Sequence, residues 1–243
     1  RGLGDVYKRQ SVRYYFDEVT PDNLEPEGID LPGFSYYDTQ NGFHIYKNDY
    51  ALPMGFTFDT YVSRSQWETY SESDRCNLLL RALVLEDDAV EMYQKDMQKL
   101  PDAVHQMSDE DLLAECTERT KTACDSFTYN SKGFHATIST DHENLVFFSV
   151  PWEEGWSAEV NGEPVAIEKA DIGFMAVPVA AGDSEITFTY HTPGLKAGAL
   201  LSLGGLVLFA GYLTVAGIYN KRHPNPKTES ICCVDYSTEE TAN

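Results

Sequence analysis

Apolar and polar positions alternate with three different periods along this sequence. In the N-terminal part, VRYYF (12–16) is a short β-prone run, and GFHIYK (42–47) reads as a strand with apolar residues alternating. An acidic, Pro- and Gly-containing stretch (17–32) separates them as a loop, and Asn48-Asp49 is a turn. FTFDTYV (56–62) alternates again, with Phe56, Phe58 and the aliphatic part of Thr60 on one face. The spacing then becomes helical. Ser63 or Ser65 can cap a helix through Trp67 and Tyr70, and Ser71 or Ser73 a second one through Leu78, Leu79, Leu80, Ala82 and Leu83. Residues 89–100 fit a strand or a helix equally well. Ser108, followed by Asp109, Glu110 and Asp111, starts a helix running to about Thr120.

From Ser126 the period is two. Strands are expected at 127–129, 134–140, 145–150, 157–160, 164–168, 174–179 and 185–190. Asn161-Gly162 is a two-residue hairpin signal, because both turn positions need φ > 0, and 181–183 is a second turn. Short strands at this spacing predict a β-sandwich.

The last period is continuous. Residues 197–219, AGALLSLGGLVLFAGYLTVAGIY, contain no charge. At about 1.5 Å per residue this run spans roughly 35 Å, enough to cross a hydrocarbon core of about 30 Å. The competing reading, a buried helix of a soluble protein, fails because such helices rarely run so far without a charge. Lys196 precedes the run, Lys221 and Arg222 follow it, and Pro224 and Pro226 prevent its continuation. Gly198, Ser202 and Gly205 share one helical face, which permits close packing with another membrane helix. The basic residues after the span, Lys227 included, predict a cytoplasmic tail and an extracellular N-terminal part.

The expected fold class is therefore α+β: an extracellular β-sandwich with a helical insertion, followed by one C-terminal transmembrane helix. Residues 11–125 form a mixed strand and helix part, 126–194 the sandwich, 195–220 the membrane helix and 221–243 the tail. The opening RGLGDVYKRQ (1–10) resembles adaptor-derived ends of translated reads and is set aside as a non-native leader. Native sequence is expected to start near Ser11, within a longer protein.

Charge narrows the function classes. The net charge is −21, and nearly all of it precedes the span. A surface so acidic excludes an electrostatic nucleic-acid binder and disfavours lying flat on anionic lipid. The 15 Tyr and 12 Phe argue against disorder. Of the five cysteines, Cys232 and Cys233 fall in the tail, where they are expected to stay reduced, and Cys76, Cys116 and Cys124 fall outside. Cys116 and Cys124 can pair only if a helix ends between them, since on one helix they lie about 12 Å apart. No Cys-x-x-Cys spacing supports a structural zinc site.

No catalytic motif emerges: there is no G-x-S-x-G, no H-E-x-x-H and no phosphate-cradling glycine loop. His44, His105, His135 and His142 are scattered. Glu86, Asp87 and Asp88 resemble a metal cluster, but acidic residues also belong in a helix's first turn. Trp152, Glu153, Glu154 and Trp156 are the most suggestive group. Indole faces stack on sugar rings and carboxylates accept hydroxyl protons. Alternatively, the aromatics pack the sandwich core and the two Glu form a turn.

Several short motifs occur in a fixed order. They are Y-x-N-x-x-ALP-x-GF (Tyr46, Asn48, Ala51, Leu52, Pro53, Gly55, Phe56), FFSVP-x-x-x-GW (147–156), VNG (160–162), GFMAV (173–177) and YHTPGL (190–195). Together they resemble the C-terminal ectodomain of the bacterial YfhO family across about 11–219. That resemblance implies a GT-C-like membrane glycosyltransferase. Such an enzyme takes a sugar from a polyprenyl-phosphate carrier and attaches it to a surface glycopolymer such as lipoteichoic acid. It also implies that the catalytic carboxylate lies in an upstream loop between earlier membrane helices. No catalytic residue is therefore assigned here, and the expected partners are the bilayer, those upstream helices and the glycopolymer. No cofactor or metal is expected within these residues. The alternative is a non-enzymatic, membrane-anchored surface binding module, which an upstream signal peptide in place of further spans would favour.

Overall fold

Leu145, Val146, Phe147 and Phe148 are all fully buried, so the strand they form has no face toward solvent. A computed structural model, which describes residues 12–26, 28–29, 31, 33–71, 74–75, 78–101 and 108–223, places that strand between two hydrophobic layers. The leader, Ser73, Cys76, His105 and the tail from Pro224, with Lys227, Cys232 and Cys233, lie outside the described residues.

The first half contains β1 (Tyr14–Glu18), β2 (Phe34–Gln40), β3 (Phe43–Asn48), β4 (Phe56–Thr57), β5 (Thr60–Ser63), α1 (Arg64–Thr69), β6 (Leu83–Leu85), α2 (Asp87–Tyr93), β7 (Gln98–Lys99) and α3 (Asp109–Lys121). The second half contains β8 (Ser126–Asn130), β9 (Gly133–Thr140), β10 (Asn144–Pro151), β11 (Trp156–Val160), β12 (Glu163–Val165), β13 (Glu168–Ala170), β14 (Phe174–Val179), β15 (Gly182–Tyr190) and α4 (Leu195–Arg222). Residues up to His191 form one unit and those from Thr192 a second.

In the first unit a mixed seven-stranded sheet, ordered β4-β10-β14-β13-β6-β5-β7, is the middle layer. Its strands alternate between two covered faces, as strands buried on both sides must. Val146, Phe148, Met175 and Val177 pack against Phe134, Ile138, Ala158, Ile186 and Phe188 of an antiparallel five-stranded sheet, β12-β11-β15-β9-β8. This is the expected sandwich. Leu145, Phe147 and Ala176 point the other way, into a core with Phe56, Phe58, Leu83, Leu85, Ala89, Leu112 and Cys116. One sheet thus joins strands from both sides of residue 125.

The helical insertion brings strands with it. β5 pairs in parallel with both β6 and β7, and parallel neighbours need crossover connections. α1 supplies one, burying Trp67 against Val62 and Val84 on one face. α2 supplies the other, burying Ala89 on the opposite face.

The structure corrects several local expectations. The helix expected through Leu83 gives way to β6, because Leu83, Val84 and Leu85 are buried on both faces of the sheet. Residues 56–62 form two short strands, β4 and β5, rather than one alternating strand, and Phe56, Thr57, Phe58, Tyr61 and Val62 are all buried. β2, which the sequence pattern does not announce, completes a three-stranded sheet, β1-β3-β2, that buries His44, Tyr46 and Asn48 on one face. The stretch 164–168 splits between β12 and β13, and Gly182 and Asp183 already belong to β15. The ambiguous 89–100 divides into the end of α2 and β7. Asn161 and Gly162, at φ 52° and 81°, make the expected hairpin between β11 and β12. α3 ends between Cys116 and Cys124, yet Cys124 is a free thiol.

In the second unit, α4 is long and apolar enough to cross a membrane, and none of its residues is buried. Leu201 is 78% and Leu208 76% exposed. A helix apolar all round and unburied by protein is matched to lipid rather than water. Lys221 and Arg222 close its last turn, where cations complement the helix dipole.

Candidate functional site

β10 shifts register between Phe148 and Pro151, and the chain then turns. The Trp152 N–H donates to the Gly173 carbonyl at 2.8 Å, and the Trp156 N–H to the Glu153 carbonyl at 3.2 Å. This turn separates the four residues singled out above. Trp156 opens β11 and packs into the sandwich, 5.0 Å from the Tyr190 ring and 5.6 Å from Phe134. Glu153 accepts a hydrogen bond from the Tyr190 hydroxyl at 2.7 Å, and that bond, more than burial, raises the Tyr190 pKa. Glu154 is exposed. Trp152 lines a cavity.

That cavity is an open cleft of about 740 Å³. α1 contributes Arg64 and Glu68, the start of α2 contributes Glu86 and Asp88, and β13 contributes Glu168 and Lys169. Local signals put these groups in place. The Ser63 hydroxyl accepts from the Gln66 N–H and fixes the start of α1. The Ser65 N–H and hydroxyl both donate to Asp87 Oδ1, at 3.1 and 2.9 Å, and so tie α1 to the first turn of α2. Glu86, Asp87 and Asp88 are thus the cap and first turn of a helix. At the β13–β14 turn, the Asp171 carboxylate accepts from the Val84 N–H at 2.8 Å. The next residue, Ile172, lines the cleft at φ 76°, a conformation that is strained for a β-branched side chain.

Four carboxylates, Glu68, Glu86, Asp88 and Glu168, face two cations, Arg64 and Lys169. Arg64 Nε is 3.0 Å from Glu68 Oε1. Glu168 accepts from the Tyr93 hydroxyl at 3.0 Å; burial first, then this carboxylate's charge, pushes the Tyr93 pKa well above the usual phenol value. Lys169 Nζ lies 3.8 Å from the centroid of the Trp152 ring, a close cation–π contact. Glu86 makes no side-chain bond to the helix it caps. An aromatic face beside hydrogen-bonding carboxylates is suited to binding a polar ring compound. Among the described residues, no three His, Cys, Asp or Glu side chains are grouped to hold a metal ion. His44, one of the scattered histidines, is buried with both ring nitrogens bonded, to Thr39 Oγ1 and the Asn23 carbonyl, each at 2.7 Å.

The motif residues serve packing and turns. Asn48 donates to the Val12 carbonyl and accepts from the Tyr50 N–H, each at 3.0 Å. Gly55 has φ 80° and a backbone so close to Cys124 Sγ and Phe148 that a Cβ would collide with both. The sequence pattern singles out Glu86 and Asp88 only as a metal-like cluster or a helix start and gives no sign of the cleft residues of α1 and β13, because these groups come from separate segments and no local spacing links them.

Residues 102–202 match the family described as bacterial membrane protein YfhO. Over that segment the chain is similar to the YfhO family. That segment holds β8 to β15 and therefore the whole five-stranded sheet, Trp152 and Lys169; Arg64, Glu68, Glu86 and Asp88 precede it. An uncharacterized protein YfhO of Bacillus subtilis (strain 168) is 28% identical over 124 residues, 51% of this chain and 13% of the relative. The matched part is thus a small fraction of that relative's length. No solved structure matches. The YfhO segment and the apolar α4 together mark a membrane protein.

Proposed function

We propose that this chain is the C-terminal ectodomain and last membrane helix of a polytopic YfhO-family glycosyltransferase that uses a polyprenyl-phosphate sugar and modifies a surface polymer such as lipoteichoic acid. On this reading residues before 197 are extracellular, the tail after α4 is cytoplasmic, and the catalytic carboxylate lies in an upstream loop. The described part positions the acceptor or braces the membrane bundle, and the cleft favours the first. The observation that supports the reading is the Trp152 cleft, which sets an indole, its face met by the Lys169 ammonium, beside hydrogen-bonding carboxylates. Contacts equal in ground and transition states lower KM without raising kcat. In the full-length enzyme, Trp152→Ala is therefore expected to raise the acceptor KM about tenfold with kcat nearly unchanged. Sugar transfer by residues 11–243 alone, abolished by replacing a carboxylate within them, overturns the assignment of chemistry upstream. Topology is checked by labelling introduced cysteines: one at the exposed Glu143 should react from outside the cell and one at Thr228 should not.

A further inference from the structure

The Trp152 ring already has a cation against its face. The Lys169 ammonium lies 3.8 Å from its centroid, within the range where a cation is attracted to the negative face of an indole. Around this pair the cleft is richer in carboxylates than in cations. Its other cation, Arg64, is engaged by Glu68 at 3.0 Å. Glu168 is engaged by the Tyr93 hydroxyl at 3.0 Å. Glu86 makes no side-chain bond to its own helix, and Asp88 accepts, among the described residues, only from the adjacent Ala89 N–H, at 3.0 Å. Two carboxylates thus remain for an incoming group. An anionic ligand meets net repulsion here, and a neutral sugar must displace an ammonium from the ring and replace it with a weaker contact. A ligand bearing its own ammonium group replaces like with like. It gains the indole face and the two acidic side chains, while Lys169, itself exposed, swings into water.

We infer that the Trp152 cleft recognises an ammonium group, carried on an amino sugar, and that Lys169 occupies the ring as an internal stand-in for it. This rests on the reading of the cleft as the site that holds a saccharide acceptor. Recognition by an aromatic face flanked by carboxylates is a general route to cationic ligands.

The test uses the full chain in nanodiscs, with glucosamine, its neutral counterpart N-acetylglucosamine and tetramethylammonium as probes, and binding followed by ligand-observed NMR. Glucosamine should bind at least several-fold more tightly than N-acetylglucosamine. Lys169→Gln, which vacates the ring, should tighten glucosamine binding about three- to tenfold. Trp152→Phe should weaken it, and Glu86→Gln with Asp88→Asn should weaken it further. Lys169 is exposed, so its substitution leaves the fold intact, as near-UV circular dichroism can verify. Competition by tetramethylammonium equal to that by glucosamine overturns the amino-sugar assignment, because the sugar ring then contributes nothing to binding. Weaker glucosamine binding in Lys169→Gln, or equal binding of both sugars to the unaltered chain, overturns the inference. In the case of equal binding, dependence on Trp152 leaves the saccharide reading standing, and independence of Trp152 removes both.

Discussion

Gly162 and Gly133 need glycine for different reasons, and only one reason is local. Gly162 sits at φ 81° with nothing near its absent Cβ, so the requirement is purely conformational. Gly162→Val is expected to lower the stability of the ectodomain by about 1 kcal/mol or more, read from thermal melts. At Gly133 a Cβ would collide with the Phe188 carbonyl oxygen on the paired strand β15. Gly133→Ala should therefore cost at least as much as Gly162→Val, although alanine is the smaller residue. The Asn-Gly pair announces the first requirement in sequence; the second exists only once β9 and β15 are side by side. Cys124 is a further case. Burial, aided by the Asp125 charge, pushes its thiol pKa up to about 12, so at pH 8 almost none of it is thiolate. Peptide mapping after iodoacetamide treatment should find Cys124 largely unmodified in the folded chain and fully modified in denaturant.

Among the elements, α3 was the most legible. Its hydrogen-bonded cap is complete: the Ser108 hydroxyl accepts from the Asp111 N–H at 3.1 Å, and the Asp111 carboxylate accepts from the Ser108 N–H at 3.0 Å and its hydroxyl at 2.8 Å. Ser108→Ala is expected to cost about 1 kcal/mol. The hydroxyl bond first, then the backbone bond, holds the Asp111 carboxyl below its ordinary value of 3.8. A depressed folded pKa contributes stability that is complete above the unfolded value and is lost as pH falls through the folded value. The difference between the parent chain and Asp111→Asn should accordingly shrink as denaturation is followed from pH 6 down to pH 2. β6 was illegible for the opposite reason. Its three residues, LVL, form a short apolar run with no alternation, because both faces of the sheet are covered, and such a run is compatible with helix or strand. The Trp152 group was partly legible: the turn and the core position of Trp156 follow from local pattern. The distinction between two tryptophans four residues apart depends on what each meets across the fold.

For the whole molecule, the shared seven-stranded sheet has a direct thermodynamic consequence. Phe58, from the first half, packs at 6.2 Å against Phe147, from the second, with the Arg119 guanidinium 5.3 Å from the Phe58 ring. Phe58→Ala opens a cavity in a fully buried position and is expected to cost about 3 to 5 kcal/mol. Hydrogen exchange should show that loss equally in β6 and in β14, in one cooperative transition; protection lost only in the first half would mean two independently stable parts.

The sequence by itself determined what depends on neighbours along the chain. A charge-free run sets the length and apolar character of α4, serines and acidic residues set helix starts, alternation sets the sandwich strands, and Asn161-Gly162 sets a hairpin. Motif order, which is also linear, was enough to recognise the YfhO-family segment. Tertiary structure alone decided the rest. β5, β6 and β7 pair in parallel across two crossovers, and β13 joins them to the sandwich strands. The cleft follows from that junction: Arg64 and Glu68, then Glu86 and Asp88, then Trp152 and Lys169 meet only when the sheet is assembled. The physical reason is that pairing between distant strands is selected by total burial of apolar surface, a property of the assembled layers that no single segment carries.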